Sequence, residues 1–224
     1  MMSWMHVIDI GHTAVMVPTA GAIAGWLVSG RAWKLALCWC LIFVAGLGLV
    51  ALSKIAFLGW GLSVPPLGFK ALSGHAWRTA AVLPVLFFVL LQGAPEIWRK
   101  RGFAFGVALS IGLGALLVVF RFHTTSEVLA SLVLGVAAGR VFVRLSATLP
   151  APRANRRAVA MSLLIFFVIC SLRPSAINHR LVDVALYFSG RDQPYRWTSD
   201  ANTCAARQPG VLHRASKMDL HSPG

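Results

Sequence analysis

Long apolar runs separated by short polar links fill most of this chain. Five of them, roughly His12 to Ser29, Leu35 to Leu52, Trp77 to Pro95, Gly102 to Phe120 and Ser126 to Val143, approach the roughly 17–25 residues a transmembrane helix needs. A sixth, Ala158 to Leu172, is the shortest of the set. The pattern predicts an all-α fold: a polytopic transmembrane bundle of about six helices spanning 12–172, with an N-terminal segment at 1–11 and a polar tail at 173–224. Within the tail, only a short amphipathic piece around Leu181 to Phe188 keeps a periodicity, and it is expected to lie on the membrane surface. From Thr198 onward the composition predicts disorder.

Small residues and tryptophans add detail to this plan. Gly21-x-x-x-Gly25 and Gly135-x-x-x-Gly139 match the spacing that lets membrane helices approach closely, and packing within one chain is the reading adopted, so no oligomer is inferred. Trp4, Trp26, Trp33, Trp60 and Trp77 stand at or near run ends, where interfacial anchors are expected. Met1 to Ile10 lacks the basic start of a secretory signal, so the first run is read as a span. Cys38, Cys40 and Cys170 lie inside apolar runs and Cys204 stands alone, which is neither a disulfide framework nor a zinc pattern.

Composition strengthens the membrane reading: 57% of residues are hydrophobic and 12% charged, against about a quarter charged in soluble domains. The 21 Lys and Arg against 7 Asp and Glu do not indicate nucleic acid, because they collect in the links instead of forming one solvated face. They indicate orientation. In the links, Arg31, Lys34, Arg99, Lys100, Arg101, Arg140, Arg144, Arg153, Arg156 and Arg157 fall on one side and Lys54, Lys70, Arg78 and Arg121 on the other, while the remaining seven lie in the tail, where they weigh little on orientation. The positive-inside rule places the first set in the cytoplasm. The second set then faces outward, on the periplasmic side if the membrane is the inner membrane of a bacterium.

Two polar islands lie in the outward links: Lys70-Ala-Leu-Ser73-Gly74-His75-Ala-Trp-Arg78 and Arg121-Phe-His123-Thr-Thr-Ser-Glu127. Facing one compartment, they form one composite site. His123 and Glu127 share a face at the start of a helix, so the carboxylate can fix the imidazole tautomer and leave the other nitrogen as a nucleophile. His75 is a second imidazole, suited to protonating a leaving oxygen. Ser73 and the amides around Gly74 open a helix and can cradle an anion, while Lys54, Lys70, Arg78 and Arg121 supply positive charge. The set suits a phosphoryl group. His6, Asp9 and His12 recur every three residues, but that spacing alone does not build a metal site, and neither metal nor cofactor is expected.

At these residues the chain resembles the type 2 phosphatidic acid phosphatase superfamily, over about Leu35 to Arg144. Ser73-Gly74-His75 is similar to the family's proline-serine-glycine-histidine motif. His123 and Glu127 match the histidine and the acid that close another motif, and Lys54 stands where a further motif begins. Both motif arginines are missing: Gly61 and Leu117 occupy their places, Leu72 replaces the motif proline, and Glu127 stands for aspartate. The resemblance implies a metal-independent hydrolase of a lipid phosphate or isoprenyl pyrophosphate. His123 would form a phosphohistidine, oriented by Glu127; His75 would be the general acid; Lys54, Ser73 and Gly74 would bind phosphate, with Arg121 and Arg78 standing in for the lost arginines. The alternative is a relative that binds or moves lipid phosphates without turnover. On the orientation derived above, a reporter enzyme fused after Leu172 is expected to report an external location, and a cytoplasmic signal would show that the sixth run does not span.

Overall fold

The computed structural model describes residues 13–148 and 184–190. Five α-helices build the first of these segments: α1 Thr13–Ser29, α2 Trp33–Trp60, α3 Gly74–Leu90, α4 Glu96–Val119 and α5 Thr125–Thr148. A 3₁₀ turn at Pro65–Leu67 interrupts the link between α2 and α3. The described residues contain no strand beyond one isolated bridge, Val64 to Phe69. Helices α2, α4 and α5 are long and apolar enough to cross a membrane; α1 and α3 are shorter apolar helices. The sixth run, Trp4, and the His6, Asp9 and His12 group lie outside the described residues.

Several boundaries differ from the sequence expectation, and most helices outlast the apolar run at one end. Helix α2 continues eight residues beyond Leu52, because Ile55, Ala56, Phe57 and Leu58 sustain it and no breaker arrives before Gly61, which caps it in the left-handed conformation at φ 69°. At 1.5 Å per residue its 28 residues span about 42 Å. Lys54 is therefore a helix residue and not part of a link. Helix α4 likewise begins at Glu96, behind the N-cap Pro95, and carries Arg99, Lys100 and Arg101 in its first two turns. Glu96 pairs with Lys100 one turn on, at 2.7 Å. Helix α3 runs from Gly74 to Leu90, so Arg78 also belongs to a helix. It stops well short of Pro95, just ahead of Gly93.

Helix α3 is the hub, packing against all four other helices. Every residue from Ala76 to Val85 is buried. Close approach is obtained by leaving out side chains. A Cβ on Gly106 of α4 would stand 2.5 Å from Pro84 Cα, and one on Gly102 would stand 3.1 Å from the Phe87 carbonyl. Pro84 breaks the hydrogen-bond ladder of α3. Ser110 ties the two helices: its hydroxyl lies 2.9 Å from the Thr79 carbonyl and 2.8 Å from the Gly106 carbonyl of its own helix, and its one proton serves both. On the other side Gly135 of α5 sits over the Trp77 carbonyl and Ala80.

The small-residue pattern thus divides. Gly135 is a close contact and Gly139 an ordinary one against Phe103, whereas Gly21 and Gly25 have nothing within 4 Å among the described residues. The Gly102 and Gly106 pair, not singled out from sequence, makes the tighter seam. Trp77 is not an interfacial anchor: it is buried against Phe43, over Gly46, which has no side chain to obstruct it. Trp33 and Trp60 are exposed at the two ends of α2, as anchors should be.

Successive helices alternate direction, so the α2–α3 and α4–α5 links meet at one end. The Thr124 hydroxyl donates to the Gly68 carbonyl across them at 3.1 Å. At this same end the described segment 184–190 packs against Gly59 of α2. Gly106→Ala is expected to destabilise the protein by about 1–3 kcal/mol through overpacking. Gly21→Ala should be neutral or stabilise by up to about 1 kcal/mol, since it relieves a helical glycine in open space. Thermal unfolding in detergent would compare the two; equal melting temperatures would refute the proposed seam.

Candidate functional site

The first turn of α5 builds the site's centre. Thr124 caps the helix: its hydroxyl accepts the Glu127 N–H at 3.4 Å, and the Glu127 carboxylate accepts the Thr124 N–H at 3.3 Å. This reciprocal capping box places a buried carboxylate beside residue 123. The oxygen that receives Thr124 also meets His123 Nδ1 at 2.9 Å. Nδ1 is therefore the nitrogen engaged with the carboxylate, and Nε2 is left for chemistry.

The other carboxylate oxygen of Glu127 accepts the backbone N–H of Lys70 at 3.2 Å. One side chain therefore holds both polar islands, with one oxygen on each. A turn further along α5 the buried Ser131 repeats the device. Its hydroxyl donates to the Glu127 carbonyl at 2.6 Å and accepts the Ser73 N–H at 2.8 Å. The Ser73 hydroxyl in turn caps α3, accepting the Ala76 N–H at 3.4 Å. Both Ser73 groups are thus used by the fold. Gly74 is buried as well, and a Cβ there would stand 3.1 Å from the Arg78 guanidinium, so the glycine makes room for an arginine folded back onto its own helix.

Next to this network lies a cavity of about 570 Å³. Its lining contains Lys54, Lys70, Arg121, His123 and Glu127. Phe57 and Leu58 from α2 and Val118 and Phe122 from the end of α4 add apolar wall. Three cations against one carboxylate favour an anion over a cation in this space, and part of the wall is apolar. Five of the nine residues expected from sequence are therefore brought together around one space. Ser73, Gly74, His75 and Arg78 are not among its lining residues; His75 is half-buried in the first turn of α3. Arg78 is 9% exposed, its Nε finds no hydrogen-bond partner among the described residues, and its charge is within electrostatic range of Lys54.

Leu117 packs with Val128, Leu132 and Ala76 beneath the site as an apolar plug. Arg121 follows one turn later. It holds the left-handed C′ position of α4 at φ 57°, where its N–H bonds the Val118 carbonyl and that of Phe122 bonds the Leu117 carbonyl. Glycine is the usual residue there, and a side-chained residue costs roughly 1–2 kcal/mol. Sequence reasoning missed Thr124 and Ser131. The Thr124-x-x-Glu127 spacing before an apolar run signals the first, and Ser131 lies one turn beyond Glu127 on the same face.

The fold and site define an all-helical protein with helices of membrane-crossing length and a cation-lined histidine–carboxylate cavity at one end. The chain belongs to the same family as the uncharacterized 22.5 kDa protein in the cps region of Klebsiella pneumoniae, with which it is 32% identical over 152 residues, 67% of this chain and 73% of that protein. No family model matches the chain, and no solved structure matches it. Glu127→Ala removes three acceptor contacts at once and leaves the amides of Lys70 and Thr124 without partners, and is expected to cost about 2–5 kcal/mol. Unfolding in detergent measures this, and a wild-type melting temperature would show that the carboxylate does not hold the islands together.

Proposed function

We propose that this protein is an integral membrane hydrolase of lipid phosphates or isoprenyl pyrophosphates, a member of the type 2 phosphatidic acid phosphatase superfamily whose site faces the periplasmic or external side. The observation that carries the reading is the His123–Glu127 pair at the edge of a cavity lined by three cations. A phosphate ester needs positive charge to bind, and a nucleophilic nitrogen held in one tautomer to react. The apolar residues on the cavity wall fit a substrate that stays partly in the bilayer.

In this mechanism Lys54, Lys70 and Arg121 hold the phosphoryl oxygens, and His123 Nε2 attacks phosphorus. The new N–P bond forms as the bond to the leaving oxygen breaks, and His75 gives that oxygen a proton. The proton on Nδ1 stays shared with Glu127, which balances the positive charge developing on the ring. Water then attacks phosphorus and returns a proton to His75, and the P–N bond breaks to release inorganic phosphate and the free imidazole. Metal takes no part in these steps.

A second reading is favoured by one observation: His75 does not line the cavity that His123 lines. On this reading His75 does not serve the cavity as proton donor, and the same pocket binds lipid phosphates and does not turn them over. Purified protein in detergent is expected to release phosphate from phosphatidic acid or an isoprenyl pyrophosphate, with His123→Ala reducing the rate to background and His75→Ala slowing it on the order of a hundredfold. Turnover that survives His123→Ala would overturn the catalytic reading. Lipid-phosphate binding without any turnover would establish the second.

A further inference from the structure

Residues 184–189 form a short helix that ends at Gly190, whose φ is +64°. Its inner face is small. Ala185 is fully buried, and with Ser189 it rests on Gly59 in the last turn of α2. A Cβ on Gly59 would stand 3.2 Å from Ser189 Cβ and 3.3 Å from the Ala185 carbonyl oxygen, so Gly59 is a notch that accepts this helix. Phe57 and Leu58, in the same turn of α2, line the cavity. The segment therefore backs the wall of the candidate site.

The outer face of the segment is apolar. Tyr187 is 83% and Phe188 68% exposed, their rings meeting edge-on with centroids 5.5 Å apart. Trp60 and Leu62 are exposed beside the notch at the end of α2. This patch is not isolated: exposed Leu41, Val44, Leu49 and Leu52 extend apolar surface along α2 up to it. A medium that covers the side of α2 also reaches its end. Aromatic side chains concentrated at the end of an apolar helix suit the boundary between acyl chains and head groups, and tyrosine offers a polar tip to that boundary.

We propose that 184–190 is an interfacial strap: docked by Ala185 and Ser189 into the Gly59 notch, it inserts Tyr187 and Phe188 into the lipid surface beside the mouth of the cavity. The lipid contact rests on the membrane reading given above, whereas the docking does not. Thr148, at the far end of α5, and Val184, at the site end, lie at opposite ends of the bundle. The strap therefore lies on the same side of the membrane as the site.

Two measurements test the strap in full-length protein whose four native cysteines are replaced by serine. In Gly59→Cys/Ser189→Cys, mild oxidation is expected to remove both thiols from reaction with a polyethylene-glycol maleimide, without forming dimers, because the Cβ atoms can reach disulfide spacing. Thiols that stay reactive, or that cross-link between chains, would overturn the docking. Separately, nitroxides are placed at Tyr187→Cys and Val44→Cys in phosphatidylethanolamine–phosphatidylglycerol vesicles. Collision with oxygen is expected to exceed that with a water-soluble nickel chelate severalfold at both. A water-facing ratio at 187, or shielding there from both reagents, with lipid contact at 44, would overturn the strap alone. A water-facing ratio at 44 would overturn the membrane reading itself.

Discussion

The site depends on one carboxylate serving two islands of chain. Glu127 is held in the first turn of α5 by its own capping exchange with Thr124. From there one oxygen meets His123 and the other accepts the Lys70 amide. The helix cap, the histidine's tautomer and the position of the α2–α3 link are therefore not independent. A carboxylate in a buried, low-dielectric position makes strong hydrogen bonds but is costly to leave unpaired, so any movement of the Lys70 loop exposes the same charge that orients His123. The extra methylene relative to aspartate has a use here: it lets a residue at the start of α5 reach both islands.

Helix α3 supplies the other half of the site, and its placement comes from missing atoms. Gly102 and Gly106 let α4 lie against the backbone around Pro84, and Gly135 lets α5 rest on the turn carrying Trp77. With partners this close on both sides, a helix of 17 residues needs no lipid-facing surface of its own and can be shorter than its neighbours. Ser131 then fixes the height of its first turn by holding the Ser73 amide. Packing along α3 and polar bonding at its head thus act on the same coordinate, the distance from His75 to His123.

What could be read from sequence follows from what each residue type must avoid. Polar residues between apolar runs have few places to go, so the two islands, the pair His123 and Glu127, and the approach of Lys54, Lys70 and Arg121 were all legible. Helix ends were not, because a single charge does not stop a helix whose next turns are apolar. Lys54 sits inside α2 and Arg78 inside α3 for that reason, and Arg99 to Arg101 continue α4 out of its apolar stretch. Trp77 looked interfacial by position, yet Gly46 opposite it made burial possible, a coincidence between two helices that periodicity within one cannot reveal. The inward-folded Arg78 depends in the same way on Gly74 having no side chain.

The cations show how the chain differs from the motifs it resembles. Arginine at 117 would lie among Val128, Leu132 and Ala76, a dry pocket in which a guanidinium must be fully paired to be tolerated. Leucine there seals the floor of the site instead. Two cations lie at the rim, Lys70 in a link and Arg121 in a helix cap. The left-handed backbone at Arg121 would be cheaper with glycine, so the position retains a cation at a conformational cost. Rim cations are screened more and hold a phosphate less rigidly than buried forked arginines. Lys54, reached from α2 and within the influence of Arg78, is the cation that a helix places on the cavity wall.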